Sequence, residues 1–265
     1  MHLFSLALKS AWNRKTSLLL ATFSIAISVV LLLGVDTLSK ESKNSFMNTL
    51  SQTDLIVGAR SGPVNLLLYS VFHIGNATNN IDYKTYLTLN KMPEIEWTVP
   101  ISLGDSHRGF RVIGTLPNFY QHYHYGDQQA LAFKKGQPFS DLYDVVLGAK
   151  VAQKYGYKLG DEIVLAHGVS EGSLAPKHAD KPFKVSGILQ PTGTPLDNSL
   201  QVSLDAIEAI HIDWQGGMQS PLKISPDLAR KLIVQPQTVT AVLVGLKSKL
   251  TTFKMQRKLN EFKSE

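Results

Sequence analysis

Two short stretches of this 265-residue chain carry side chains at spacings that chemistry uses. "GVSEG", Gly168–Gly172, matches the G-x-S-x-G nucleophile elbow, which needs a strand before the serine and a helix immediately after it. The strand "EIVLAH" is present, but "LAPKHADKP", with two prolines, is a poor helix. Asp197 or Asp205 with His211 would complete a Ser170 triad in chain order and by nothing else, so a polar hairpin loop is expected at Ser170. In "YQHYHYGD", His122 and His124 stand two apart beside Tyr120, Tyr123, Tyr125 and Asp127. On a strand the two imidazoles share a face and suit zinc or copper. A tight site needs three or four ligands, so an exposed aromatic loop able to contact a partner or substrate is expected instead.

Other chemistry is thinner still. No G-x-x-x-x-G-K-[ST] exists, so no nucleotide is held by a P-loop. The chain has no cysteine, which removes disulfides, thiolate nucleophiles and cysteine-ligated metals. No pair of acids forms an acid/base pattern. The sequence therefore assigns no catalytic, cofactor-binding or metal-ligating residue, and the chain is expected not to be an enzyme. A net charge of +6 without a long Lys/Arg run gives nucleic-acid binding little support.

The strongest physical feature is "RKTSLLLATFSIAISVVLLLGVD". No charged side chain occurs from Ser17 to Val35, long enough at about 1.5 Å per residue to cross roughly 30 Å of hydrocarbon. A signal-peptide core is shorter, about 7–15 residues, and ends at a small-residue cleavage site. None follows here, so an uncleaved span is expected. Lys9, Arg14 and Lys15 precede it and no acid occurs before Asp36, which keeps the N-terminus cytoplasmic and sends the rest outward. "MHLFSLALKSAW" suits a short interfacial helix leading into the span, the alternative being a frayed tail. Ser17, Ala21, Ser24 and Ser28 fall on one helical stripe. Two readings stay open for it: a small-residue face for packing against another helix in lipid, or serines bonding back to the carbonyl four residues earlier.

Beyond the span, 43% hydrophobic and 18% charged residues are ordinary for a folded domain. The pattern predicts a cytoplasmic segment over 1–16, the span over 17–37, a stalk helix over 38–53 and an α+β domain over 54–265. That domain is expected to have two lobes, one of about 54–116 with 183–265 and an inserted one of about 117–182. "DLIVGA" is a buried strand and "PVNLLLYSVFHI" an amphipathic helix whose Val64, Leu67, Leu68, Val71 and Phe72 are expected in the core. "EIEWTVPISLG" and "RGFRVIGTL" form a strand pair, and "TVTAVLVGL" is a fully buried strand before a last helix.

These pieces resemble MacB/FtsX-type ABC transporter permeases. The resemblance rests on the basic segment and span "LALKSAWNRKTSLLL", on "TDLIVGARSGPVNLLLYSVFHI", on "VVLGAKVAQKYGYKLGDEIVL" and on "FKVSGILQPTGTPLDNSLQVSLDAI". It implies an inner-membrane protein with a two-lobed periplasmic α+β domain. It further implies a cytoplasmic ABC ATPase in a separate subunit, and a homodimer or paired permease that couples ATP hydrolysis to extrusion or mechanotransmission. A periplasmic or outer-membrane partner would fit the same picture. After "KLNEFKSE" none of that family's three later spans follows, so a fragment or truncated member is expected. The competing expectations are a single-span sensor or adaptor with a ligand- or protein-binding outer domain and, more remotely, an anchored hydrolase.

Overall fold

The structure, a computed structural model, describes residues 2–168, 177–215, 218–220, 224–232 and 235–261. The chain divides into two compact units, residues 1–47 and 48–265. Helix α1 (His2–Asn13) breaks at Arg14, and helix α2 begins at Lys15 and continues to Thr49. The stretch Lys15–Thr37 is long and apolar enough to cross a membrane, and none of it is buried against protein. An apolar helical stretch of this length fits a membrane anchor.

The second unit is organised on one mixed sheet, ten-stranded among the described residues. Its strands are β1 (Leu55–Gly58), β2 (Ile95–His107), β3 (Phe110–Thr115), β4 (Phe133–Gly136), β5 (Asp144–Leu147), β6 (Glu162–Ile163), β7 (Ala166–His167), β8 (Phe183–Leu189), β9 (Ser199–Ser203) and β10 (Ala241–Leu246). The order is β1-β10-β2-β3-β9-β5-β8-β4, with β7 added to β2 and β6 to β8. The β3/β9 and β5/β8 pairs are parallel and the others antiparallel. Strands from within 117–182 thus share the sheet with strands that flank that segment. Every residue of β10 is buried, as an interior strand covered on both faces must be.

Helices α3 (Pro63–Ser70), α4 (Tyr83–Asn90), α5 (Phe119–His122), α6 (Ala149–Tyr155), α7 (Leu204–His211), α8 (Pro226–Leu232) and α9 (Thr252–Glu261) accompany the sheet. Pro63 starts α3, but the face expected in the core packs only in part. Val71 is buried as expected, but Val64 is 66% and Leu68 36% exposed, and Tyr69 is buried in their place. The reason lies at Gly58 of β1, where a Cβ would stand 2.5 Å from Leu66 Cδ1 and 3.0 Å from the Tyr69 hydroxyl. The helix therefore seats its Leu66/Tyr69 edge on the strand, nearly opposite Val64 and Leu68.

The "VVLGAKVAQKYGYKLGD" stretch shows why its glycines and aspartate are there. At Gly148, before α6, a Cβ would meet the Leu196 carbonyl oxygen at 2.3 Å and that of Asp197 at 2.6 Å. Gly156 caps α6 with φ +69° and Gly160 turns with φ +88°, conformations that side chains resist. The Asp161 carboxylate then accepts from the Lys158 N–H at 2.8 Å.

A half-buried histidine adds to the acid sensitivity of the fold. His73 has φ +57° and a buried Nδ1 without a hydrogen-bond partner. Burial, and then the Arg111 guanidinium, push its pKa from 6.5 down to about 4. Because the folded value lies below the unfolded one, the folded state binds fewer protons, and stability is lost as pH falls from 6.5 towards 4. At about 1.4 kcal/mol per pH unit the full loss approaches roughly 3 kcal/mol. His73→Asn, which tolerates the left-handed backbone, is expected to flatten this part of the curve of unfolding free energy against pH. A curve as steep as that of the parent chain would show that another group carries the sensitivity.

Candidate metal centre

The sheet brings together four donors that lie far apart in sequence. Asp105 on β2 and His167 on β7 are direct cross-strand partners in the antiparallel register. His211 is the last residue of α7. That helix is started by Ser203, whose Oγ accepts from the Ala206 N–H at 3.1 Å, the expected geometry of an N-cap. Gly114 on β3 lets it sit close, since a Cβ there would be 2.5 Å from Ile207 Cγ1. Ile207 and His211 are four residues apart and so share this sheet-facing side. His178 is fixed through its backbone, donating to the Leu165 carbonyl at 2.9 Å and accepting from the Lys181 N–H at 3.1 Å.

One ligand atom from each of Asp105, His167, His178 and His211 lies within 4.8 Å of all the others. Three form a near-equilateral triangle. Asp105 Oδ1 is 3.4 Å from both His167 Nδ1 and His211 Nε2, and those two nitrogens are 3.3 Å apart. Asp105 is 2% exposed and His178 fully buried, while the His167 and His211 side chains keep 29% exposure each and give a way in from solvent. Trp214 closes one side, its ring 4.3 Å from that of His167 and 4.9 Å from that of His178.

The polar atoms are under-satisfied. Asp105 Oδ1, His167 Nε2 and both ring nitrogens of His178 are buried without a hydrogen-bond partner, as is Trp214 Nε1. Most buried polar groups in native proteins are bonded, so an orphan cluster calls for an explanation. His107, close by in β2, shows the ordinary case, bonding the Val164 carbonyl at 2.8 Å and the Tyr157 hydroxyl at 2.7 Å. Burial lowers His178 to about 4, and burial with His211 lowers His167. Burial also acts downward on His211, but the Asp105 carboxylate and a hydrogen bond donated to the Ile207 backbone outweigh it and the shift is upward. Burial thus disfavours the charged form of His167 and His178, whereas Asp105 favours it at His211.

The candidates read from sequence fall elsewhere. Ser170 lies outside the described residues. Asp197 is occupied, accepting from Thr192 N and Oγ1 at 2.8 and 2.9 Å and from Gly193 N at 2.9 Å, while Asp205 is exposed in the first turn of α7. The carboxylate beside His211 is Asp105. The His122/His124 stretch is neither one continuous strand nor an exposed aromatic loop. His122 ends α5 and lies flat on Trp97, ring centroids 4.7 Å apart, while His124 starts a separate two-residue strand. Tyr120 and Tyr123 are buried in the core, because α5 turns them inward against Phe119 and Phe139. Lys9, Arg14 and Lys15 are exposed at the junction of α1 and α2, and Ser17, Ala21, Ser24 and Ser28 are exposed on α2. Ser28 Oγ donates to the Ser24 carbonyl at 2.9 Å.

A long helix bare of protein cover, followed by a mixed sheet carrying helices, fits a membrane-anchored α+β protein. The family described as MacB-like periplasmic core domain matches residues 18–261, and the chain belongs to that family. Similar solved structures include the periplasmic region of MacB from Actinobacillus actinomycetemcomitans, at 12% identity over 78% of this chain and 79% of that one with a TM-score of 0.42. Another is the extracellular domain of the noncanonic ABC-type transporter YknZ from Gram-positive bacteria, at 14% identity over 69% and 83% with a TM-score of 0.41. Comparison with curated proteins gives no match.

Proposed function

We propose that this chain is the membrane-anchored periplasmic part of an ABC transporter permease in a bacterial inner membrane. It would act with a separate cytoplasmic ATPase and couple ATP hydrolysis to extrusion or mechanotransmission in the envelope. The observation that carries the reading is the match to the MacB-like periplasmic core domain over a chain whose α2 includes a span-length apolar stretch. On this reading residues 1–16 lie on the cytoplasmic side, 17–37 cross the bilayer, 38–53 form a stalk, and 54–265 form the two-lobed periplasmic body. Lys9, Arg14 and Lys15 set the orientation. Ser17, Ala21, Ser24 and Ser28 form the face on which a second permease helix packs, in a homodimer or a paired permease. Ser28 already bonds back to Ser24, so this face rests chiefly on the small size of its side chains. The chain itself does no catalysis, and a periplasmic or outer-membrane partner would receive the motion.

The test is recruitment. The chain, tagged and extracted from its own host's membranes in mild detergent, is expected to bring down one ABC ATPase in stoichiometric amount. Reproducible extraction without any ATPase would favour the single-span sensor or adaptor.

A further inference from the structure

We propose that Asp105, His167, His178 and His211 form a binding site for one first-row divalent cation, with Zn²⁺ the ion whose geometry they match. The inference stands on the cluster alone and does not depend on the permease reading.

Spacing is the first argument. A tetrahedral ion with bonds of about 2.0–2.1 Å holds its ligands roughly 3.3–3.4 Å apart. The Asp105 Oδ1, His167 Nδ1 and His211 Nε2 triangle, with sides of 3.4, 3.4 and 3.3 Å, is already one face of such a tetrahedron. His178, within 4.8 Å of all three, supplies the remaining vertex.

The second argument is independent of spacing. His178 is fully buried and neither of its ring nitrogens has a hydrogen-bond partner. A buried imidazole normally bonds through at least one nitrogen, as His107 does through both. A bound cation satisfies one His178 nitrogen and the orphaned Asp105 Oδ1 together.

Donor chemistry selects the ion. Three imidazoles and one carboxylate suit zinc, copper or nickel, whereas calcium and magnesium require mostly oxygen ligands. Copper(II) and nickel(II) prefer square-planar or tetragonal arrangements, which leaves zinc for a tetrahedral face. With four protein donors no position is left for a reacting water, so the ion fastens and does not hydrolyse. It would fasten β2, β7, the segment at His178 and the end of α7 to one point. Metal occupancy would then set how firmly those elements hold together.

The full chain, purified in detergent and stripped with a chelator, is to be titrated with Zn²⁺, Co²⁺, Ca²⁺ and Mg²⁺. One equivalent of Zn²⁺ at submicromolar affinity is expected, with the intense visible band of tetrahedral Co²⁺ and no uptake of Ca²⁺ or Mg²⁺ at the same concentrations. Saturating Zn²⁺, at about 100 times the dissociation constant, should raise the melting temperature by roughly 5–10 °C. His178→Gln and Asp105→Asn should weaken binding at least about 100-fold, while His124→Gln leaves it unchanged. Because those two positions are buried, the partly exposed His167→Gln and His211→Gln variants, checked for native circular dichroism, serve as the second pair and should show the same loss. Failure of the parent chain to take up Zn²⁺, equal affinity for Ca²⁺, or undiminished binding by folded His167→Gln and His211→Gln would overturn the proposal.

Discussion

Lys181→Met is expected to lose about 3–5 kcal/mol of unfolding free energy in urea titrations followed by tryptophan fluorescence, because it strands a buried carboxylate. Lys181 is fully buried. Its ammonium donates to Asp213 Oδ1 and Oδ2 at 2.9 and 3.0 Å and to Asp180 Oδ2 at 2.8 Å. The Asp213 side chain is itself fully enclosed, whereas Asp180 keeps 22% exposure. Burial alone would raise Asp213, but the hydrogen bond and charge of Lys181 outweigh it and the carboxyl is held below its ordinary range. Removing the cation leaves burial, the largest influence, opposed only by backbone hydrogen bonds such as that from the Ile224 N–H, so in the variant the Asp213 pKa is expected to rise above its unfolded value. A group raised in this way holds its stability at low pH and loses it as pH climbs through the folded pKa. The deficit of Lys181→Met should therefore shrink in acid. Lys181→Met with Asp213→Leu should recover most of the loss, since replacing both charges by apolar groups removes the desolvation penalty. Equal instability of the double variant would mean that the ammonium contributes through its packing and not through its partner. The pair sits three residues after His178 and two after His211, so Lys181→Met should also weaken cation uptake at the neighbouring cluster.

Much of the sheet was legible in advance because local pattern and tertiary role agree there. The apolar run in "TVTAVLVGL" supplies β10, which is buried at every residue. "EIEWTVPISLG" and "RGFRVIGTL" alternate, and they pair as β2 and β3. The helix at Pro63 was legible in position and not in orientation. Its stripe of leucines and valines is nearly all-round, and the deciding contact is the bare backbone of Gly58, remote from any helical period. The four donors were hidden for a related reason. His167, His178 and His211 have no short repeat among them, and Asp105 is separated from His167 by strands β3 to β6. Only antiparallel registry and the seating of Ile207 on Gly114 make them neighbours. His122 and His124 sent the opposite message, close in sequence but divided between a helix end and a strand, with one ring committed to Trp97. Lys181, whose burial the sequence does not show, lies beside the cluster. An ammonium so enclosed needs a carboxylate, and that carboxylate, Asp213, stands beside Trp214 at the cluster's edge.

Replacing Lys9, Arg14 and Lys15 together by glutamine is expected to break the single orientation of the anchor. The balance at the two ends of α2 is narrow. Those three cations flank the start of the apolar stretch, while Lys40 and Lys43 follow its end, and Lys40 is already paired with Asp36 at 2.7 Å. Orientation follows the count of Lys and Arg close to the span, with acids contributing little. With no cation before the span and two after it, the rule favours the reverse arrangement. A long following domain resists that reversal, because such domains cross largely regardless of charge. A mixed population is the expected outcome. Alkaline phosphatase, active only outside the cytoplasm, and green fluorescent protein, fluorescent only inside when exported unfolded, serve as fusions after the last helix. The parent chain should give high phosphatase activity and little fluorescence. The triple variant should lose about half of its phosphatase activity per molecule or more, and gain fluorescence in step. Arginine at all three positions should leave both signals unchanged, which separates charge from helix packing at the α1–α2 junction. An undiminished phosphatase signal in the glutamine variant would mean that the folded body, and not the basic flank, decides which side it occupies.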